Sequence, residues 1–257
     1  MSKTVVVANQ KGGVGKTTTA ISLASGIAAT MRSVLLVDVD PQANATSGVG
    51  ISKETGGRSI YECLIDDKKA SDVICSSCAE WLEVLPSDIN LIGAEIELVG
   101  MVSRETKLKE VISQVKNSYD YVIIDCPPSL GLLTINALVA ADSILIPMQC
   151  EYYALEGLTQ LLKTVHLIRQ SLNPSLELEG VVLTMYDSRL KLGDQVVDDI
   201  RKFFGDKVYK SVIPRNVRLA EAPSYGKTIF AYDKSSKGAE AYMNLVKEFC
   251  ARNGKTK

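Results

Sequence analysis

Apolar positions along this chain fall into short continuous runs, separated by longer stretches where they recur every three or four residues. Val5–Ala8, Val34–Val37, Leu82–Leu85, Tyr121–Ile124, Ile144–Pro147, Val181–Met185 and Val208–Ile213 are runs of strand length. Unbroken apolar runs suit strands covered on both faces, as in a parallel sheet. Helical spacing appears over Thr17–Ala29 and at about 88–99, 104–117, 130–141, 152–171 and 193–204. This alternation predicts an α/β fold: a mostly parallel, twisted sheet with helices on both faces and right-handed crossovers. Residues 41–80 are more polar and irregular, an excursion from the sheet with short helices predicted at Ile60–Leu64 and Ala70–Cys75. Tyr242, Leu245, Val246 and Phe249 form one face of a C-terminal helix expected to dock on the core. No repeat or linker interrupts the pattern, so residues 1–257 are expected to form a single domain.

Composition adds exclusions. Hydrophobic residues make up 46% and charged residues 23%, the balance of an ordinary globular protein. No apolar run approaches the roughly 18 residues of a membrane span, and Val5–Ala8 is too short for the core of a signal peptide. A cytoplasmic location is the expectation. Without an export signal the six cysteines are expected to be reduced thiols. Cys75 and Cys78 form a lone C-x-x-C pair, and His166 is the only histidine, so a four-ligand zinc site has few candidates. The pair reads instead as a helix end. The net charge of −1 hides an asymmetry. Residues 1–183 hold 14 basic and 21 acidic side chains; residues 184–257 hold 15 and 9. That is the pattern of a basic footprint on one face, or equally of ordinary solvated side chains.

The most specific chemistry lies between the first strand and the first helix, in Lys11-Gly12-Gly13-Val14-Gly15-Lys16-Thr17-Thr18. Gly12, Gly13 and Gly15 allow backbone angles that aim consecutive N–H groups, Val14's among them, at one anion. The helix starting there adds its dipole and its unpaired N–H groups. Lys16 is expected along the β- and γ-phosphates, Thr17 on Mg²⁺ and Thr18 at the α-phosphate. This is a P-loop NTPase arrangement, with ATP and Mg²⁺ as the implied cofactors. Asp38 and Asp40 follow the second strand, and Asp125 ends the strand at 121–124. Parallel strands present their C-terminal ends on one edge, so the three carboxylates are expected at the mouth of the loop. Any one of them taken alone also suits a helix cap.

The usual P-loop pattern would place glycine at position 10, where this chain has Gln10, and a second lysine, Lys11, precedes the glycine pair. The motif resembles the deviant Walker A loop of the ParA/MinD superfamily, and the likeness extends over nearly the whole chain. It resembles most the small Soj-type ParA proteins, chromosome- and plasmid-partitioning ATPases. The likeness is carried by residues 8–19, 35–42 and 121–128 and by Ile213 to Ser224, which includes Pro214, Arg215, Asn216 and Arg218. The resemblance implies that Lys11 reaches across a homodimer to the partner's nucleotide. It further implies that Asp125 is the Walker B residue, that Asp38 lies near the metal and that Asp40 positions the attacking water. Pro214, Asn216 and Met185 are expected at adenine. Arg189 and Arg218, joined by Lys191, Arg201, Lys202 and Arg215, are expected to form a surface that binds double-stranded DNA without reading sequence. The implied function is ATP-dependent segregation: a dimer on the nucleoid, with slow hydrolysis stimulated by a ParB-like centromere-binding partner. The chain begins two residues before its first strand, so no operator-binding helix-turn-helix is expected.

Three rivals share the loop. A MinD-like positioning ATPase needs a basic amphipathic tail for the membrane, whereas Arg252, Lys255 and Lys257 trail beyond the apolar pattern; stable membrane association is not expected. An iron–sulphur carrier needs a cysteine pair at the dimer axis, and Cys75 and Cys78 lie in the irregular segment. A nucleotide-gated scaffold would bind ATP and scarcely turn it over.

Overall fold

The computed structural model describes residues 2–151, 154–187, 189 and 191–254. Eight strands form one sheet: β1 (Lys3–Val7), β2 (Val34–Asp38), β3 (Cys75–Ser76), β4 (Leu82–Leu85), β5 (Tyr121–Asp125), β6 (Ser143–Gln149), β7 (Glu177–Tyr186) and β8 (Val208–Pro214). Their order is β3-β4-β2-β5-β1-β6-β7-β8, and every pairing is parallel except that of β3 with β4. The helices are α1 (Lys16–Ala28), α2 (Asn44–Gly48), α3 (Ile60–Ile65), α4 (Leu91–Glu97), α5 (Lys107–Ser113), α6 (Leu132–Ala140), α7 (Ala154–Ser171), α8 (Lys191–Phe204), α9 (Val217–Glu221), α10 (Ile229–Tyr232) and α11 (Lys237–Arg252).

The unbroken apolar runs sort by strand alternation into two cores. Val6, Leu35, Val37, Val122 and Ile124 face helices α3 to α8. Val5, Val7, Val34, Leu36 and Ile123 face α1, α2 and α9 to α11. Both faces of each central strand are thereby buried, which is why these runs carry no polar positions. Tyr242, Leu245, Val246 and Phe249 are all buried where α11 docks, as expected. Its first turn is capped by Ser236, whose hydroxyl accepts from the Ala239 amide. No helix among the described residues is long and apolar enough to cross a membrane.

One element departs from the sequence reading. The helix expected over Ala70–Cys75 is a single 3₁₀ turn, Ala70–Asp72, and Cys75 then enters β3, pairing with Val84 in antiparallel register. Val73 and Ile74 still close the turn, their amides both donating to the Ala70 carbonyl, and the chain extends only at Cys75, where β3 covers the free edge of β4. The cysteine pair is therefore no helix end. Cys75 is half-buried and Cys78 exposed, and both are free thiols.

The excursion after β2 returns to the body through close backbone packing. Gly50 and Gly226 both have positive φ, 86° and 61°. A Cβ added at Gly226 would lie 3.1 Å from the Gly50 Cα, so the α2 segment and the loop after α9 touch backbone to backbone.

Candidate nucleotide site

At the C-terminal edge of the sheet the loop between β1 and α1 takes the shape its sequence predicts. Gly13 and Gly15 have φ of 73° and 84°, and Gly15 is the N-cap of α1. Gly12 is not in that region, and open space surrounds it. The loop is held from both sides by side chains with no local sequence signal. Asn9 donates to the Pro147 carbonyl at 2.7 Å and accepts from the Lys11 amide at 3.0 Å. Thr184, on β7, donates to the Val14 carbonyl at 2.8 Å.

Lys16 is buried, and its ammonium donates to the Lys11 carbonyl at 3.0 Å. Burial lowers its pKa from the ordinary lysine value, against the upward pull of Asp125, Cys126 and Asp40. The three carboxylates converge, but their environments differ. Asp38 and Asp125 sit side by side in register on β2 and β5. Asp38 accepts from the Thr46 amide and hydroxyl, both at 2.7 Å, and from the Asp40 amide at 3.1 Å. Burial nevertheless pushes it up to about 6. Asp125 is fully buried, and neither of its oxygens has a hydrogen-bond partner among the described residues. Burial first, and then the charge of Asp38, raise its pKa well above the carboxylate range, with Thr17 and Lys16 opposing. Asp40 accepts from the Gln42 amide at 2.9 Å through one oxygen and lines the cleft together with Lys16, Thr17 and Thr18. That cleft is about 410 Å³.

A second cleft of about 320 Å³ adjoins it, between the end of β7 and the turn after β8. Gly15, Thr18, Met185, Pro214 and Asn216 line it, so the three positions expected at adenine come together beside the phosphate loop. Asn216 is also the N-cap of α9: its side-chain oxygen accepts from the Arg218 amide at 2.9 Å, leaving its amide NH₂ to donate. Met185 has φ +53°, an outlying backbone for its type, and its sulfur accepts from Gln149 at 3.3 Å. Tyr242 lines the same cleft from α11, with its hydroxyl 3.0 Å from that of Thr19.

Lys11 lies at the rim, with its ammonium 2.8 Å from Glu151 of the same chain. The two arginines expected at DNA are exposed, and each is paired internally. Arg189 forks onto Asp187, with Nε at 2.8 Å, and holds that carboxyl down to about 2. Arg218 meets Glu221 at 2.8 Å and Asp233 at 3.5 Å. The side chain of Lys191 lies outside the described residues, as do Lys255 and Lys257. Among the described residues no three His, Cys, Asp or Glu side chains cluster as a metal cage. The orphaned Asp125 oxygens beside Thr17 instead suit an ion that keeps waters and takes its other ligands from phosphate, as Mg²⁺ does.

The chain matches the AAA domain family over residues 2–178. It is 58% identical to the sporulation initiation inhibitor protein Soj of Bacillus subtilis (strain 168), over 98% of this chain and 99% of that protein. It is 51% identical to the chromosome partitioning protein ParA of Myxococcus xanthus, over 98% and 89%. Among solved structures it is similar to cobyrinic acid a,c-diamide synthase from Mycobacterium smegmatis with bound ATP analogue and magnesium. There the TM-score is 0.86 and the identity 36%, over 99% of this chain and 98% of that one. It is also similar to the septum site-determining protein MinD from Pyrococcus horikoshii OT3 complexed with Mg-ADP. That match has a TM-score of 0.80 and 26% identity, over 99% and 98%.

Proposed function

The chain belongs to the ParA/Soj family of partitioning ATPases, and from that premise we propose that it is an ATP-operated DNA-segregation switch acting as one domain over residues 1–257. The observation that carries the reading is Asp125: a buried carboxylate with two unsatisfied oxygens, facing the lysine of a phosphate loop. Leaving such a group unpaired costs several kcal/mol in a site with no cation to receive.

In this scheme the backbone N–H groups from Gly12 to Thr18 and the start of α1 hold the phosphates, and Lys16 neutralises their charge. Thr17 and Asp125 would hold Mg²⁺, with Asp38 behind them, fixed by Thr46. When bound, Mg²⁺ would supply positive charge against the charge that develops on the phosphates. Asp40 orients the attacking water, its carboxylate aligned by the Gln42 amide. Met185, Pro214 and Asn216 receive the adenine.

Lys11 serves the partner's triphosphate in a homodimer, so ATP favours pairing and hydrolysis releases it. Its exposure at the rim, and its exchangeable ion pair with Glu151, support this. Arg189 and Arg218 contact phosphates of double-stranded DNA, and pairing doubles the patch, placing the protein on the nucleoid. A ParB-like centromere-binding partner accelerates an otherwise slow hydrolysis. Sedimentation with DNA and, separately, with anionic liposomes tests the reading. ATP-dependent retention on DNA, lost in Lys16→Ala and in Arg189→Glu, is expected; retention on liposomes alone would replace it with a MinD-like membrane role.

A further inference from the structure

The phosphate loop and the turn after β8 stand far apart in the chain, yet three consecutive residues at the end of β7 reach both. Thr184 is buried, and its hydroxyl donates to the Val14 carbonyl at 2.8 Å. The carbonyl and the N–H of one trans peptide unit point opposite ways in one plane, so this bond also turns the Gly15 N–H away from β7. That N–H makes no hydrogen bond among the described residues, and Gly15 lines the phosphate cleft.

No other hydrogen bond among the described residues holds the Val14–Gly15 peptide. Gly15, at φ 84°, has no Cβ to resist a flip of this unit. Its neighbours are fixed by other means. The Gly15 carbonyl accepts from the Thr19 amide at 2.9 Å as α1 begins, and Asn9 holds the Lys11 amide upstream. The orientation of one phosphate-facing N–H therefore depends on a hydroxyl from β7.

Met185 comes next, with its outlying φ of +53°. Its sulfur accepts from the Gln149 amide at 3.3 Å, and Gln149 is the β6 residue in register with Thr184. Met185 lines the phosphate cleft and the second cleft alike. Tyr186 follows, paired with Pro214, and its carbonyl accepts from the Arg215 amide at 3.0 Å. The turn carrying Pro214 and Asn216 is thus tied to the same strand end as the phosphate loop.

We propose that Thr184 is a positioning residue that links base to phosphate: its hydroxyl sets the Val14–Gly15 peptide for the triphosphate, and a base packed on Met185 steadies the strand end that carries it. The proposal rests on the reading that one ATP spans the two clefts. The test is calorimetric titration of the full chain with Mg-ATP and with Mg-ribose 5-triphosphate, which lacks only the base. Thr184→Val keeps the branched shape and removes the donor; Thr184→Ser keeps the donor. Thr184→Val is expected to bind ATP about tenfold more weakly per folded molecule and ribose 5-triphosphate at most about threefold more weakly. Thr184→Ser is expected to bind both as the unsubstituted protein does. Gln149→Leu, which frees the Met185 sulfur, is expected to shrink the preference for ATP in the same sense and carries the test should Thr184→Val not fold. A Thr184→Val protein that melts lower but binds both ligands as before would make the bond structural and overturn the proposal. Equal losses for the two ligands, or a Thr184→Ser protein as weak as Thr184→Val, would overturn it too. An unsubstituted protein with no preference for ATP over ribose 5-triphosphate would instead sink the reading that Met185, Pro214 and Asn216 receive the adenine.

Discussion

The two ends of the parallel sheet each bury a carboxylate, and they treat it in opposite ways. At the N-terminal end Glu179 accepts from Lys3 at 2.6 Å, Ser143 at 2.8 Å, Asn253 at 2.9 Å and Tyr209 at 3.1 Å. Burial raises its pKa, but the donors from Lys3, Asn253 and Ser143 outweigh it and the carboxyl ends below its ordinary value. At the C-terminal end neither Asp125 oxygen has a well-formed hydrogen bond among the described residues, Thr17 and Lys16 only partly oppose the effect of burial, and burial wins. A carboxylate whose partners come from its own chain ties β1, β6, β7, β8 and α11 together. One left without partners, beside a lysine and a phosphate loop, is arranged for something that binds.

Exchange of each carboxylate separates the two roles. Asp125→Ala is expected to lower turnover by about 10²–10³-fold while the nucleotide-free protein melts no lower than the unsubstituted one, since an unpaired buried group has been removed. Phosphate release and thermal unfolding check the two halves; a drop in melting temperature would make Asp125 structural. Glu179→Ala reverses the signature. It leaves the Lys3 ammonium without a carboxylate, with the Asn253 side-chain oxygen still accepting from it, and is expected to cost about 3 kcal/mol of stability, with nucleotide affinity per folded molecule unchanged. Denaturant unfolding and ATP titration measure this pair.

Smaller effects sharpen the contrast further. Gly226→Ala forces an alanine into positive φ against the Gly50 backbone and is expected to cost about 1–2 kcal/mol in denaturant unfolding. The smallest effect is a pH dependence. Folding raises Asp38 from 3.8 to about 6, mainly by burial. Between those values the folded protein keeps a proton that the unfolded chain has lost, so this group's contribution to stability falls as pH rises through the window. Asp38→Asn is expected to stabilise the metal- and nucleotide-free protein increasingly from about pH 4 to about pH 6 and by a constant amount above. Melting temperatures of the two proteins in chelating buffers give the difference; a flat difference would mean that Asp38 ionises normally.

What could be read in advance follows the same division. The strands and the phosphate loop carry local patterns: apolar runs, and glycines followed by lysine and threonines, where backbone geometry demands particular residues. Asp38 and Asp125 were legible because strand ends in a parallel sheet share an edge. The short β3 was not, since two residues pairing with an edge strand leave no periodicity. The contacts that Thr184, Tyr242 and Asn9 make at the site were not legible either, although Tyr242 was expected on the core face of its helix. Each of the three is a single polar residue whose partner is far away in the chain, as Thr184 is from Val14. The arginines at 189 and 218 could be picked out, but not the carboxylates that hold them, Asp187, Glu221 and Asp233.

The central claim is that the C-terminal edge becomes a complete site only when ATP brings in a second chain and its Lys11. Sedimentation velocity of the Asp40→Ala protein with Mg-ATP, Mg-ADP or no nucleotide tests it most directly. The account predicts dimers with ATP alone, and monomers throughout when Lys11→Ala is added. Dimers that persist without Lys11, or none in any nucleotide state, would contradict it.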